Sequence, residues 1–193
     1  MNWLNESKEN AIARMQNYWK DSYFEYMTDL SLDERGRTGE ENLYKLLLKA
    51  GLDVYWDADK NTTPEDGIYD LWVMLGGAKV RIEVKTAMRG TNNKTWQHEQ
   101  IYKANIWDKL AFIDIDYDKV YFTVLDHSEM VWDEKHPVLG KKPSLREDSK
   151  DAYKVDMSKN SIQRGIDGGL TFCYTLNTDD SELIEFMREK IAG

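Results

Sequence analysis

Apolar residues recur at near-helical spacing through the first 28 positions: Trp3, Leu4, Ile12, Met15, Tyr18, Trp19, Tyr23, Phe24 and Met27. Polar residues fill the gaps, which predicts one or two amphipathic helices packed on the main body or on a partner. Residues 31–37 read as a polar connector. Thr38-Gly39-Glu40-Glu41 then has the spacing of a capping box, and Leu43, Tyr44, Leu46 and Leu47 continue a helix. Gly51 stands where a C-terminal cap glycine belongs. Residues 52–56 predict a short strand and 57–66 a polar loop. Two strands follow, 68–75 and 78–86, joined by Gly76-Gly77, a pair suited to a tight hairpin. Beyond them the pattern predicts a helix over 96–107, strands over 110–115 and 119–125, and a short helix over 128–135. Residues 136–168 read as irregular, 170–176 as a strand, and Ser181 onward as a capped helix. This order implies an α/β (α+β) fold with a mixed central sheet flanked by helices. The chain divides into an N-terminal helical extension, residues 1–36, and a main domain, residues 37–193.

Composition narrows the class. A chain of 193 residues with 41% hydrophobic and 12% aromatic content is globular and needs no covalent staple. One cysteine, Cys173, excludes an internal disulfide and a cysteine-built zinc or iron–sulfur site; it sits in an apolar run and reads as a core thiol. No apolar run approaches a membrane span and no secretory signal is visible at the N-terminus, so a soluble cytoplasmic protein without membrane attachment is expected. The 26 basic residues against 35 acidic ones give a net charge of −9, which argues against nucleic-acid binding by bulk charge. The charge is uneven, however. Residues 135–164 hold eight basic and four acidic side chains, whereas residues 53–70 hold six acidic side chains and one lysine.

The hairpin places the candidate chemistry. If Leu75 pairs with Ala78, Asp70 falls opposite Glu83, where like charges are destabilising unless a cation sits between them. Hard divalent cations accept one or two carboxylates and complete their shell with water and phosphate. Along the second strand Val80, Ile82 and Val84 alternate with Lys79, Arg81, Glu83 and Lys85. Lys85 therefore shares a face with Glu83, where an ammonium can stabilise a water-derived nucleophile or the charge growing on a phosphoryl group. Glu40 shares a helix face with Leu43, Tyr44 and Leu47 and points inward. Glu41 points elsewhere, four residues before Lys45.

Asp70, then Glu83-Val84-Lys85, with Glu40 on a preceding helix, resembles the PD-(D/E)XK nuclease superfamily, the restriction-endonuclease-like fold. The resemblance covers residues 37–125 and is greatest to Holliday-junction resolvases and type II restriction endonucleases. It implies a metal-dependent deoxyribonuclease, an endonuclease acting on DNA as a homodimer. Asp70, Glu83 and the Val84 carbonyl would then be the ligands of Mg²⁺, or of Mn²⁺ in its place. Glu40 would touch the metal shell and Lys85 would be the catalytic lysine. Pro64 does not directly precede Asp70, and Pro64-Glu65-Asp66 is a competing position for the first acid; Asp70 is preferred because it opposes Glu83.

Further candidates flank this set. Gln97, with Gln100 second, would orient substrate from the helix over 96–107. His98 is within reach as a proton carrier that the chemistry does not require. His98, His127 and His136 share no metal-ligand spacing and read as surface or structural. For contact with nucleic-acid phosphates the candidates are Arg89 and Lys94 in a polar loop and Lys141, Lys142, Arg146, Lys159 and Arg164 in the basic stretch. The helices over residues 3–28 form the natural dimer surface. Two other readings stand beside the nuclease: a non-catalytic binding module on the same fold, and a nuclease directed at RNA.

Overall fold

The computed structural model describes residues 3–57, 69–91, 94–104, 106–177 and 179–193, with side chains from residue 7 onward. Pro64-Glu65-Asp66 and Asn92-Asn93 lie outside the described residues. Helix α1 (Trp3–Trp19) and a 3₁₀ turn (Glu25–Thr28) precede helix α2 (Leu32–Lys49). Strands β1 (Asp53–Trp56), β2 (Leu71–Leu75), β3 (Ala78–Met88), β4 (Trp96–Tyr102), β5 (Lys109–Ile115) and β6 (Lys119–Asp126) follow. The chain ends with β7 (Ser144–Leu145), β8 (Ala152–Met157), helix α3 (Lys159–Asp167), β9 (Thr171–Thr175) and helix α4 (Asp180–Ala192). Two sheets result: a six-stranded one in the order β1-β2-β3-β5-β6-β9, and a three-stranded one in the order β4-β8-β7. Among the described residues only the β3–β5 pair of the larger sheet is parallel, so that sheet is mixed, as expected.

Two apolar layers hold the molecule together. Trp19, Met27, Leu43 and Leu47 pack with Leu71, Val73, Ile82 and Met187 on one face of the large sheet. Trp96, Ile101, Trp107, Leu110, Phe112 and Met157 fill the space between the two sheets. The N-terminal segment is thus joined to the core through Trp19, Phe24 and Met27, which are all buried, while residues 7–14 of α1 are exposed.

The hairpin is as expected. Gly76 and Gly77 adopt φ of +57° and +87°, the left-handed pair that a two-residue turn between twisted strands demands. Leu75 pairs with Ala78 and Leu71 with Ile82. Several local expectations are corrected. Helix α2 starts at Leu32, so residues 31–37 are no connector. The capping box is Ser31 with Glu34, and Thr38 instead donates its hydroxyl to the Glu34 carbonyl inside the helix. Residues 96–102 form a strand, not a helix, because Trp96, His98 and Ile101 face the core while Gln97 and Glu99 face out. Only a 3₁₀ turn, His127–Glu129, stands where a helix over 128–135 is predicted. Residues 136–168 hold β7, β8 and α3, and α4 is capped by Asp179, whose carboxylate accepts from the Ser181 amide. No helix among the described residues is long and apolar enough to cross a membrane.

Candidate active site

The predicted acids and lysine come from three places: β3, the residue just before β2, and helix α2. The central part of β3 supplies Glu83, Val84 and Lys85. Ile82 and Val84 enter the core on the α2 side, and Glu83 and Lys85 therefore turn to the opposite face. Glu83 is buried at 3% exposure, and its Oε1 lies 2.5 Å from the Lys85 Nζ. An ammonium thus offsets the cost of burying that carboxylate.

Asp70 stands immediately before β2 rather than within it. Its amide donates to the Ile82 carbonyl at 3.0 Å, and its Oδ2 accepts from the Val84 amide at 2.8 Å. The ladder proper begins one residue later, at Leu71. The correction is small, because these two bonds fix the Asp70 carboxylate against Glu83-Val84 more firmly than register alone would.

Glu40 comes from α2 and is buried at 5% exposure, with its Oε2 accepting from the Trp56 indole at 3.2 Å. The preceding glycine makes this position possible. A Cβ on Gly39 would fall 1.7 Å from the Thr86 hydroxyl oxygen and 2.8 Å from the Thr86 Cβ. Helix α2 therefore lies against β3 at a distance that only glycine permits. Overpacking of this kind costs about 1–3 kcal/mol. Gly39→Ala should accordingly lower the melting temperature by about 5 °C for a chain of this size, read by circular dichroism. An unchanged melt would mean that the contact is looser than described.

Glu40, Asp70, Val84, Lys85 and Thr86 line a cleft of about 870 Å³. Its second wall is β4, with Gln97, His98, Glu99 and Gln100, and Arg146 closes that side. Arg35 and Arg37 on the first turns of α2 also reach the cleft. They sit in the part of α2 that the sequence pattern assigns to a connector, so the Ser31-x-x-Glu34 spacing was the signal that could have placed them. Gln97 is exposed on this wall, and Gln100 has a left-handed φ of +56° at a bulge in β4.

His98 does not open to solvent. Its Nε2 lies 2.7 Å from Asp114 Oδ1, and both side chains are buried almost completely. Burial pushes the Asp114 carboxyl above the ordinary carboxylate range, with the imidazole acting against that shift. The His98 ring also contacts Phe112, the register partner of Lys85. His136 is buried as well, its Nδ1 accepting from the Val138 and Leu139 amides, and burial pushes its pKa down. Cys173, expected in the core, is only partly buried on β9.

The basic candidates divide. Arg146 borders the cleft and is paired with Glu99 and, at 2.8 Å, with Asp148. Lys141 pairs with Asp156 at 2.8 Å, away from the cleft lining. Lys159 lies 4.0 Å from Asp116. Arg89 points inward to Asp116 and Tyr18, each at 3.2 Å. Arg164 donates to the Val138 carbonyl at 2.9 Å and lies against Gly140, where it fixes a turn. Neither Arg89 nor Arg164 therefore presents its charge outward as expected. Lys94 and Lys142 are exposed.

For a metal the donor set is hard: two carboxylates, Asp70 and Glu83, and the Val84 carbonyl. It fits a cation that keeps much of its water. Among the described residues no three acidic, histidine or cysteine side chains converge as a ready cluster, so most of such a shell would come from water and substrate.

No protein-family model matches the chain, and no curated protein does. Among solved structures the chain is similar to a bacterial homing endonuclease, I-Ssp6803I, with a TM-score of 0.42 and 15% identity over 51% of this chain and 71% of that one. At that level the similarity says nothing about individual residues. The class that fold and site define is an α+β protein with a mixed six-stranded sheet and an acid–lysine cleft.

Proposed function

We propose that the cleft is the active site of a metal-dependent phosphodiesterase acting on DNA, of the PD-(D/E)XK type. One observation carries the reading: Asp70 is hydrogen-bonded to the Val84 amide, beside a buried Glu83 that is paired with Lys85. Asp70, Glu83 and the Val84 carbonyl would hold Mg²⁺, with Glu40 facing its water shell. When bound, the cation supplies Lewis-acid activation of water and counter-charge for the oxyanion.

The protein's own groups do the rest. The Val84 amide fixes the Asp70 carboxylate in one orientation. The Lys85 ammonium is paired with the buried Glu83 carboxylate. With a phosphate present it stands ready to position the attacking water and to meet charge developing on phosphorus-bound oxygens. Gln97 and Arg146 lie across the cleft, where an amide and a guanidinium can orient the flanking phosphodiester.

Purified protein with Mg²⁺ or Mn²⁺ is expected to cut DNA, and EDTA is expected to stop it. A panel of linear, nicked, branched and single-stranded DNA beside RNA reads the substrate class. Undiminished cutting in EDTA would remove the mechanism. Cutting confined to RNA would correct the substrate. A non-catalytic binding module is the second reading, favoured by the net charge of −9 and by the internal pairing of Arg89 and Arg164.

A further inference from the structure

The face of the large sheet that carries Glu83 and Lys85 continues into an aromatic row that the hydrolytic reading does not use. Tyr55 on edge strand β1 pairs in register with Trp72 on β2, and Trp72 with Arg81 on β3. Strand alternation puts Trp72 on the same side as Asp70 and Arg81 on the same side as Glu83. Two residues of strand separate the rows, so the aromatic row begins roughly 7 Å from the acid pair.

The rings are stacked, with centroids 3.9 Å apart and planes inclined by 8°. Lys79, from the strand on the other side, places its ammonium 4.8 Å from the Trp72 centroid and 4.8 Å from that of Tyr69. Asp53 accepts from the Tyr55 hydroxyl at 3.3 Å and so restrains the ring. Tyr55 remains 42% exposed, and among the described residues β1 is the edge of its sheet, with no further strand beside it. An ordinary cross-strand pair stabilises a hairpin without leaving a flat, restrained ring face beside a phosphodiester cleft.

Net charge gives this feature a use. At −9 the chain gains little from the backbone of nucleic acid, and Lys141, Arg89 and Arg164 are held by internal partners. Contact with the bases adds affinity that bulk charge does not supply, and stacking on aromatic faces is the sequence-tolerant way to bind them.

We propose that Tyr55, backed by Trp72 and Lys79, is a stacking platform for an unpaired nucleobase next to the cleft, so that the preferred substrate carries a single-stranded stretch. The proposal rests on reading the cleft as a phosphodiester site. Its test is a binding experiment in EDTA, where nothing is cut. A labelled single-stranded oligonucleotide, the same strand with abasic sites, and a blunt duplex are each titrated with protein. Tyr55→Ala is expected to weaken binding of the intact single strand about tenfold and to leave the abasic strand and the duplex unchanged. Tyr55→Phe is expected to bind as the native protein does. Tyr55→Leu keeps an apolar cover on Trp72 and lacks the π face; it is expected to behave as the alanine variant, which guards against a folding defect. Unchanged binding in both the alanine and leucine variants would overturn the platform, as would equal losses on the intact and abasic strands. The platform and the hydrolysis fail separately. Base-dependent binding without cutting in Mg²⁺ keeps the platform and removes the nuclease, and cutting with normal binding by Tyr55→Ala does the reverse.

Discussion

Lys85→Ala is expected to lower Mg²⁺-dependent cleavage about 10²–10³-fold, the usual cost of removing one group aimed at developing charge. The size follows from its setting. The Lys85 side chain is 19% exposed and is paired with Glu83, which is itself buried. Water screens such a charge weakly, so it acts strongly on a phosphate in the same cleft. Because Glu83 loses its counter-ion in the variant, the protein is expected to melt lower without metal and to regain stability when Mg²⁺ is added. Single-turnover cleavage with melting curves at several Mg²⁺ concentrations reads both effects. Native rates in Lys85→Ala would show that the lysine is structural.

His98→Ala is expected to destabilise the fold by about 3–5 kcal/mol, because it leaves Asp114 buried without a partner. In a domain of this length that is a fall of about 10 °C in melting temperature. The pH dependence has a definite sign. Burial already raises the Asp114 pKa in the native protein, and loss of the imidazole removes a group that opposes the rise. A carboxyl whose folded pKa is raised favours the fold at low pH, and that contribution disappears as the pH climbs through the folded value. The gap between variant and native protein should therefore narrow in acid and widen toward neutrality. Replacing both partners, His98→Leu with Asp114→Leu, should recover most of the loss, since no buried polar group is then stranded. A gap independent of pH would mean that His98 acts through packing against Phe112 alone.

The acid–lysine set was legible in the sequence because one short-range signal fixed it. Gly76-Gly77 sets the hairpin, the hairpin sets the register from Leu71–Ile82 onward, and two hydrogen bonds to β3 hold Asp70 just beyond its end. Inward placement of Glu40 followed equally from helical periodicity. Strand β4 was misread for a local reason. A bulge between His98 and Ile101, with Gln100 at φ +56°, breaks the period of two halfway along. The apolar residues on either side then fall at helix-like intervals. The His98–Asp114 pair was hidden because it joins different sheets, a contact between residues 16 positions apart that no periodicity encodes. The basic stretch misled in another way, because a count of lysines and arginines says nothing about partners. Asp156 and the Val138 carbonyl hold two of those cations in place. The start of α2 was misplaced because Thr38-Gly39-Glu40-Glu41 has the spacing of a capping box, whereas it is Ser31 with Glu34 that closes both reciprocal bonds.

Calorimetric titration with Mn²⁺ is the most direct test of whether Asp70 and Glu83 share one cation. The native protein is expected to show a single weak site, and Asp70→Asn, its fold checked by circular dichroism, is expected to abolish it. Absence of heat with the native protein at millimolar Mn²⁺, or an equal site in Asp70→Asn, would contradict a metal between these two acids and with it the proposed hydrolysis.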